Sequence, residues 1–227
     1  YRLDATSTAN SGYKWKGWYE NSAGTGTALS ISQTNYQYSV SASSTSSSSP
    51  TSKTVYGVWV GVNYTIIFVA DDATSGEMDD LDMVYGTAKN LTANAYHRAY
   101  TVTFDANGGE CATSSTTAEY TFANWKNGDK TYADKANVDK LTTTDDDKIT
   151  FTAQWTPTAV TLPVATRENC SRFCCCDGEN KIGDAGASYT PTADIALTAQ
   201  WQPVASVTVA PAAIAELVYN GENQTLI

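Results

Sequence analysis

The residues best suited to chemistry in this chain are its five cysteines, and four of them crowd into one stretch. Cys170, Cys174, Cys175 and Cys176 lie in the run Glu168-Asn169-Cys170-Ser171-Arg172-Phe173-Cys174-Cys175-Cys176-Asp177, while Cys111 stands alone just after Gly108-Gly109. Four thiolates can hold a structural zinc, but such sites usually take their ligands as two spaced pairs from two loops. On a strand, alternate side chains face opposite ways, so three consecutive cysteines cannot all reach one ion. Disulfides are the second reading, and they suit a secreted chain. Neighbouring cysteines rarely bond each other, so Cys170 is expected to reach one of Cys174, Cys175 and Cys176, which leaves an odd fifth thiol. The third reading is reduced thiols in an atypical loop. No cofactor and no metal ligand set is nominated.

The other candidates each have a plain structural rival. His97 is the only histidine, so any Ser-His-Asp or Cys-His pair would have to be built around it. Its neighbours Tyr96 and Arg98 read as a junction between modules, and no catalytic residue is assigned. The acidic runs Asp71-Asp72, Asp79-Asp80-Asp82 and Asp145-Asp146-Asp147 lack the spacing and glycine of a calcium loop, and read as solvated loops. Trp15, Trp18, Trp59, Trp125, Trp155 and Trp201 could form a sugar-stacking platform, but their regular recurrence argues for the cores of repeated units. Tyr19, Tyr36 and Tyr38 sit off that pattern and are the better surface candidates for contacting a ligand.

Composition points to strands as the elements that position these residues. The 227 residues are 41% hydrophobic, with 14 Tyr and 6 Trp, and only 17% are charged. Low charge with many Thr, Tyr and Val favours strands over helices, so the expected class is mainly β, with little helix. A net charge of −10 makes nucleic acid a poor partner. The longest apolar stretch, near Ile66 to Ala70, is far too short to span a bilayer, and no basic amphipathic stretch suggests membrane-surface binding. Both ends read as cuts through a longer protein.

Along the chain a phrase recurs. Residues 149–157 read Ile-Thr-Phe-Thr-Ala-Gln-Trp-Thr-Pro and residues 195–203 read Ile-Ala-Leu-Thr-Ala-Gln-Trp-Gln-Pro. A repeated strand ending marks repeated small modules. Tyr64-Thr65-Ile66-Ile67-Phe68 and Tyr100-Thr101-Val102-Thr103-Phe104 are alternating opening strands. The second is followed by Asp105-Ala106-Asn107-Gly108-Gly109, a strong turn signal. Tyr13 to Trp18 and Tyr120 to Trp125 are aromatic strands, residues 130–140 suit a short helix or an irregular crossover, and residues 39–53 are a Ser-rich low-complexity insertion.

An alternating opening strand with Asp-Ala-Asn-Gly-Gly, then Tyr-x-Phe-x-x-Trp, then Ala-Gln-Trp, resembles the Listeria–Bacteroides repeat, also called the internalin B-repeat. The likeness is most specific over Tyr100 to Trp155. It extends to 64–94, where Tyr85-Gly86-Thr87-Ala88-Lys89 and Leu91-Thr92-Ala93-Asn94 match a middle segment, and in part to 13–59 and 161–201. Two departures stand out. After Arg98 the pattern calls for an aromatic strand, yet Tyr100 opens a new unit. In the last unit, cysteines stand where Tyr, Gly and Trp are expected.

The resemblance implies tandem small β-grasp-like modules. The expected divisions are a partial repeat at 1–60, a partial repeat at 61–99, a complete repeat at 100–157, a degenerate cysteine-containing repeat at 158–203, and the truncated start of a further surface module at 204–227. It also implies a non-enzymatic stalk or adhesion segment of an extracellular, cell-surface or cell-wall-attached bacterial protein. The expected partners are a host or matrix glycoprotein, a glycan or neighbouring repeats. The alternative function is a carbohydrate- or glycoprotein-binding module that uses surface aromatics.

Overall fold

The computed structural model describes residues 10–30 and 54–204, with the backbone alone for 171–173. The Ser-rich insertion at 39–53, Tyr36, Tyr38 and almost all of the expected terminal module at 204–227 lie outside the described residues. Among the described residues the fold is all strand and turn. Its principal strands are β1 (Tyr13–Tyr19), β2 (Tyr56–Gly61), β3 (Asn63–Val69), β4 (Leu81–Val84), β5 (Ala99–Asp105), β6 (Ser115–Glu119), β7 (Thr121–Asn127), β8 (Lys130–Tyr132), β9 (Asp147–Thr156), β10 (Cys170–Asp177), β11 (Asn180–Asp184) and β12 (Ile195–Pro203). The stretch at 130–140 holds β8 and an irregular crossover. Lys135 and Lys140 there have φ of 56° and 53°, a left-handed conformation that a helix of L-residues does not accommodate.

The chain divides into two compact units, and neither is continuous. One comprises Tyr1–Arg98 with Tyr120–Thr156, the other Ala99–Glu119 with Pro157–Ile227. Each unit holds a five-stranded sheet of the same plan. In the first the order is β8-β7-β9-β3-β4, and in the second β11-β10-β12-β5-β6. In both, the closing strand runs parallel to the opening strand: Ile149 lies beside Ile66 and Phe151 beside Phe68, as Leu197 lies beside Phe104. The remaining ladders in both sheets are antiparallel.

This division differs from the expected one. The unit expected at 100–157 is split, because its opening strand β5 pairs with β12 and its closing strand β9 pairs with β3. The half-module expected at 61–99 receives its aromatic and closing strands from residues 120–156. The β5–β6 hairpin is thus an insertion between the halves of the first unit. The chain leaves and returns at adjacent points: the Tyr120 amide donates to the Arg98 carbonyl at 2.8 Å, and the Arg98 guanidinium lies 4.6 Å from the Tyr120 ring centre.

The first core follows from strict alternation. Tyr64, Ile66 and Phe68 on β3, and Ile149, Phe151 and Ala153 on β9, all point to one face. Trp125 is fully buried among them, with its ring 4.8 Å from that of Phe68. Leu91 and Val138 close the opposite side through the short pairing of Lys89–Asn90 with Asn137–Val138. The second core is Val102, Ala118, Val160, Leu162, Cys175 and Leu197. It contains no Trp.

Two outcomes follow. Replacing 99–119 by a two-residue Asn-Gly turn is expected to leave the first unit folded, with its amide NMR spectrum retained, whereas residues 100–157 alone should show no cooperative unfolding. Trp125→Ala should cost about 3–5 kcal/mol in denaturant titration, as large aromatic deletions from cores do. Trp125→Phe should cost less, since the indole Nε1 is buried without a hydrogen-bond partner.

Candidate functional site

The repeated Thr-Ala-Gln-Trp phrase gives a common frame for comparing the two units. Ala153 lies opposite Trp125, and Ala199 lies opposite Cys175. Cys175 therefore occupies the place that Trp125 fills in the other sheet. A thiol is far smaller than an indole, and beside it is a small apolar pocket lined by Phe104, Cys111, Ala165, Leu197 and Ala199. Burial pushes the Cys175 thiol up to about 11, with smaller contributions from Cys111 and Cys174, so it stays protonated at neutral pH and behaves as a small hydrophobe.

Alternation along β10 then sends Cys174 and Cys176 to the other face. Their sulfurs lie 2.9 Å apart, longer than the roughly 2.05 Å of a disulfide, and all five cysteines are free thiols. The expected link from Cys170 to Cys174, Cys175 or Cys176 is not formed. A bulge between Cys170 and Arg172 puts Cys170 opposite Pro203, while Cys174 faces Gln200. Three register steps are about 10 Å of strand, beyond the reach of a disulfide. Cys111 donates to the Thr113 carbonyl at 3.0 Å.

The turn at 105–109 also works in the second unit. Asn107, at φ 46°, takes its amide bond to Asp105 and donates its side-chain amide to the Ala199 carbonyl at 2.9 Å. The Trp201 indole donates to the Ala106 carbonyl at 3.0 Å. The matching Trp155 belongs to the unit whose opening strand ends in Ala70-Asp71-Asp72 instead, and its Nε1 is buried without a partner. The signature turn and the signature ending therefore lock together across 92 residues rather than between neighbours in sequence.

The remaining candidates separate cleanly. His97 is exposed and engages through its backbone, bridging to Ser75. Among the described residues, no three His, Cys, Asp or Glu side chains converge as a metal site. Asp145 is structural rather than simply solvated: its carboxylate accepts from Lys14 Nζ at 2.8 Å and from the Asn63 amide at 2.9 Å. Tyr19, expected at the surface, is only 5% exposed, because β1 turns it inward.

The surface aromatics are instead the tryptophans of β1 and β2, which recurrence alone had placed in a core. A bulge at Lys16 breaks the alternation of β1, so that Trp15 faces Trp59 while Trp18 faces Gly57. Trp15 and Trp18 thereby share one face, although they stand three positions apart. Trp15 packs edge-on to both Trp18 and Trp59, with ring centres 5.2 Å apart in each case, an arrangement worth about 0.5–1.5 kcal/mol per pair beyond area burial. The cluster is possible because position 57 has no side chain: a Cβ there would meet the rings of Trp15 at 3.1 Å and Trp18 at 3.2 Å. Trp15 stays 38% exposed. The tell-tale sign in the sequence was Gly17, since a glycine inside a strand marks a bulge.

No protein-family model, curated protein or solved structure matches this chain.

The Lys14–Asp145 pair gives a pH signature. The hydrogen bond from Lys14, then that from the Asn63 amide, holds the Asp145 carboxyl below its ordinary 3.8. A depressed carboxylate contributes stability above its unfolded value and loses it as pH falls through the folded one. The Asp145 carboxyl carbon should therefore titrate by NMR below 3.8, and Lys14→Ala should move the midpoint back up toward it.

Proposed function

We propose that this chain is a non-catalytic adhesion segment of an extracellular, surface-attached bacterial protein, built from β-grasp-like repeats of the Listeria–Bacteroides type. Its contact surface is the Trp15–Trp18–Trp59 face of the β1–β2 ribbon, and its ligand is a glycan, free or on a glycoprotein. The observation that carries this reading is the indole cluster packed over Gly57, with Trp15 38% exposed and Trp18 and Trp59 half-buried beside it. Trp15 is the one tryptophan among the described residues that is exposed rather than buried or half-buried.

Pyranose rings stack their apolar C–H faces on such indoles, and an aromatic with one apolar face and one polar tip is the usual anchor of a wet interface. The acidic net charge of −10 favours neutral or basic glycans over sulfated ones.

Screening the full chain against a neutral-glycan array, at protein concentrations high enough for millimolar affinities, tests this reading. Binding is expected. Trp15→Ala or Trp59→Ala should weaken it by about tenfold, the scale of one aromatic anchor, and Gly57→Val should do the same by displacing both rings. Loss of binding in variants whose amide NMR spectra show them still folded supports the assignment. Absence of any glycan binding, or binding indifferent to these substitutions, removes the contact surface from the proposal.

A further inference from the structure

The Cys174–Cys176 pair is unused by the adhesion reading and stands on different observations. β10 holds the two residues at i and i+2 on one face, opposite Gln200 and Thr198. Extended backbone separates such Cα atoms by about 6.6 Å, near the upper end of what a disulfide spans. The side chains have nonetheless turned toward each other, bringing the sulfurs to 2.9 Å. Closing a bond needs less than about 1 Å more. No third thiol competes for the pair, because Cys175 points into the core, Cys170 lies three register steps along the strand, and Cys111 is on the separate short strand Glu110–Cys111.

We propose that Cys174 and Cys176 form a thiol-exchange site for small-molecule disulfides, with Cys174 attacking first and Cys176 resolving. Cys174 is partly exposed whereas Cys176 is 3% exposed, so a reagent from solution meets Cys174. Its thiolate attacks one sulfur of the small disulfide. A Cys174–ligand disulfide forms and one small thiolate leaves, taking up a proton. The Cys176 thiolate then attacks Cys174 Sγ, and the second small thiolate leaves and is protonated. Two protein thiols become one protein disulfide, and one small disulfide becomes two small thiols, with no other reactant.

The second step succeeds despite a poor nucleophile. Burial, then the contact with Cys174, pushes the Cys176 thiol up to about 11, so it would hardly react with a reagent in free solution. Held against its target, it reacts as an intramolecular group and needs only a small thiolate fraction. Because thiolate is the attacking form, closure should quicken as pH rises from neutral. The span at the limit of disulfide geometry makes the product a labile bond that an added thiol reopens.

The reduced full chain, incubated folded with oxidised glutathione, then alkylated and digested with trypsin, tests this. Cleavage after Arg172 and Lys181 isolates Cys174, Cys175 and Cys176 in one peptide. The expected peptide has lost two hydrogens, carries no glutathione and keeps one alkylatable thiol, and Cys175→Ser should leave closure intact. Cys176→Ser should trap glutathione on Cys174, and Cys174→Ser should react about tenfold slower or less, as a buried thiol does. A stable glutathione adduct in the unsubstituted chain, closure that requires Cys175, or no reaction at this peptide while Cys111 is modified would each overturn the proposal. Near-UV circular dichroism confirms that each variant is folded before it is scored.

Discussion

The structure depends on one kind of contact, the parallel pairing of an opening strand with a closing strand. Antiparallel strands can be joined by a two-residue turn, but a parallel pair needs a long crossover. In the first unit that crossover runs from Val69 to Asp147, and in the second from Asp105 to Ile195. A connection of such length has room for a whole hairpin of another unit. The β5–β6 hairpin uses it, entering after Arg98 and leaving before Tyr120, whose backbones are hydrogen-bonded to each other. To the first unit, the insertion is a loop between two neighbouring points.

Once the pairing is fixed, the details of the two cores follow. Each closing strand presents an alanine to its aromatic-position neighbour, Ala153 to Trp125 and Ala199 to Cys175. The first unit fills that space with an indole against Phe68. The second fills it with a thiol and compensates at its margin, where Trp201 and Asn107 tie the 105–109 turn to the closing strand. The same β10 alternation that buries Cys175 brings Cys174 and Cys176 together on the reverse face.

Much of this was legible in the residues, because strand periodicity is local. The opening strands, the aromatic strands, the Asn-Gly-Gly turn and the Trp-terminated strands all stand where alternation and turn chemistry put them. What sequence order hid was partnership. Tyr100 to Trp155 reads as one continuous module because each piece has the right form, and nothing local says that β5 pairs with a strand more than ninety residues away. The sign was the aromatic strand missing after Arg98, which reappears at Tyr120-Thr121-Phe122-Ala123-Asn124-Trp125. The recurrence of Trp misled for a related reason: it marks position within a strand, and the bulge at Lys16 changes which face that position takes. The placement of Tyr19 inside and Trp15 outside reverses for the same cause.

The central claim is the interleaved pairing, in which β3 joins β9 and β5 joins β12, and backbone NMR of the uniformly labelled chain tests it most directly. Cross-strand nuclear Overhauser effects are expected between residues 64–69 and 147–152, and between residues 102–105 and 195–198, in the registers Ile66–Ile149 and Val102–Ile195. Effects linking residues 102–105 to 147–152 instead would mean that the module is continuous from Tyr100 to Trp155, and would contradict the account.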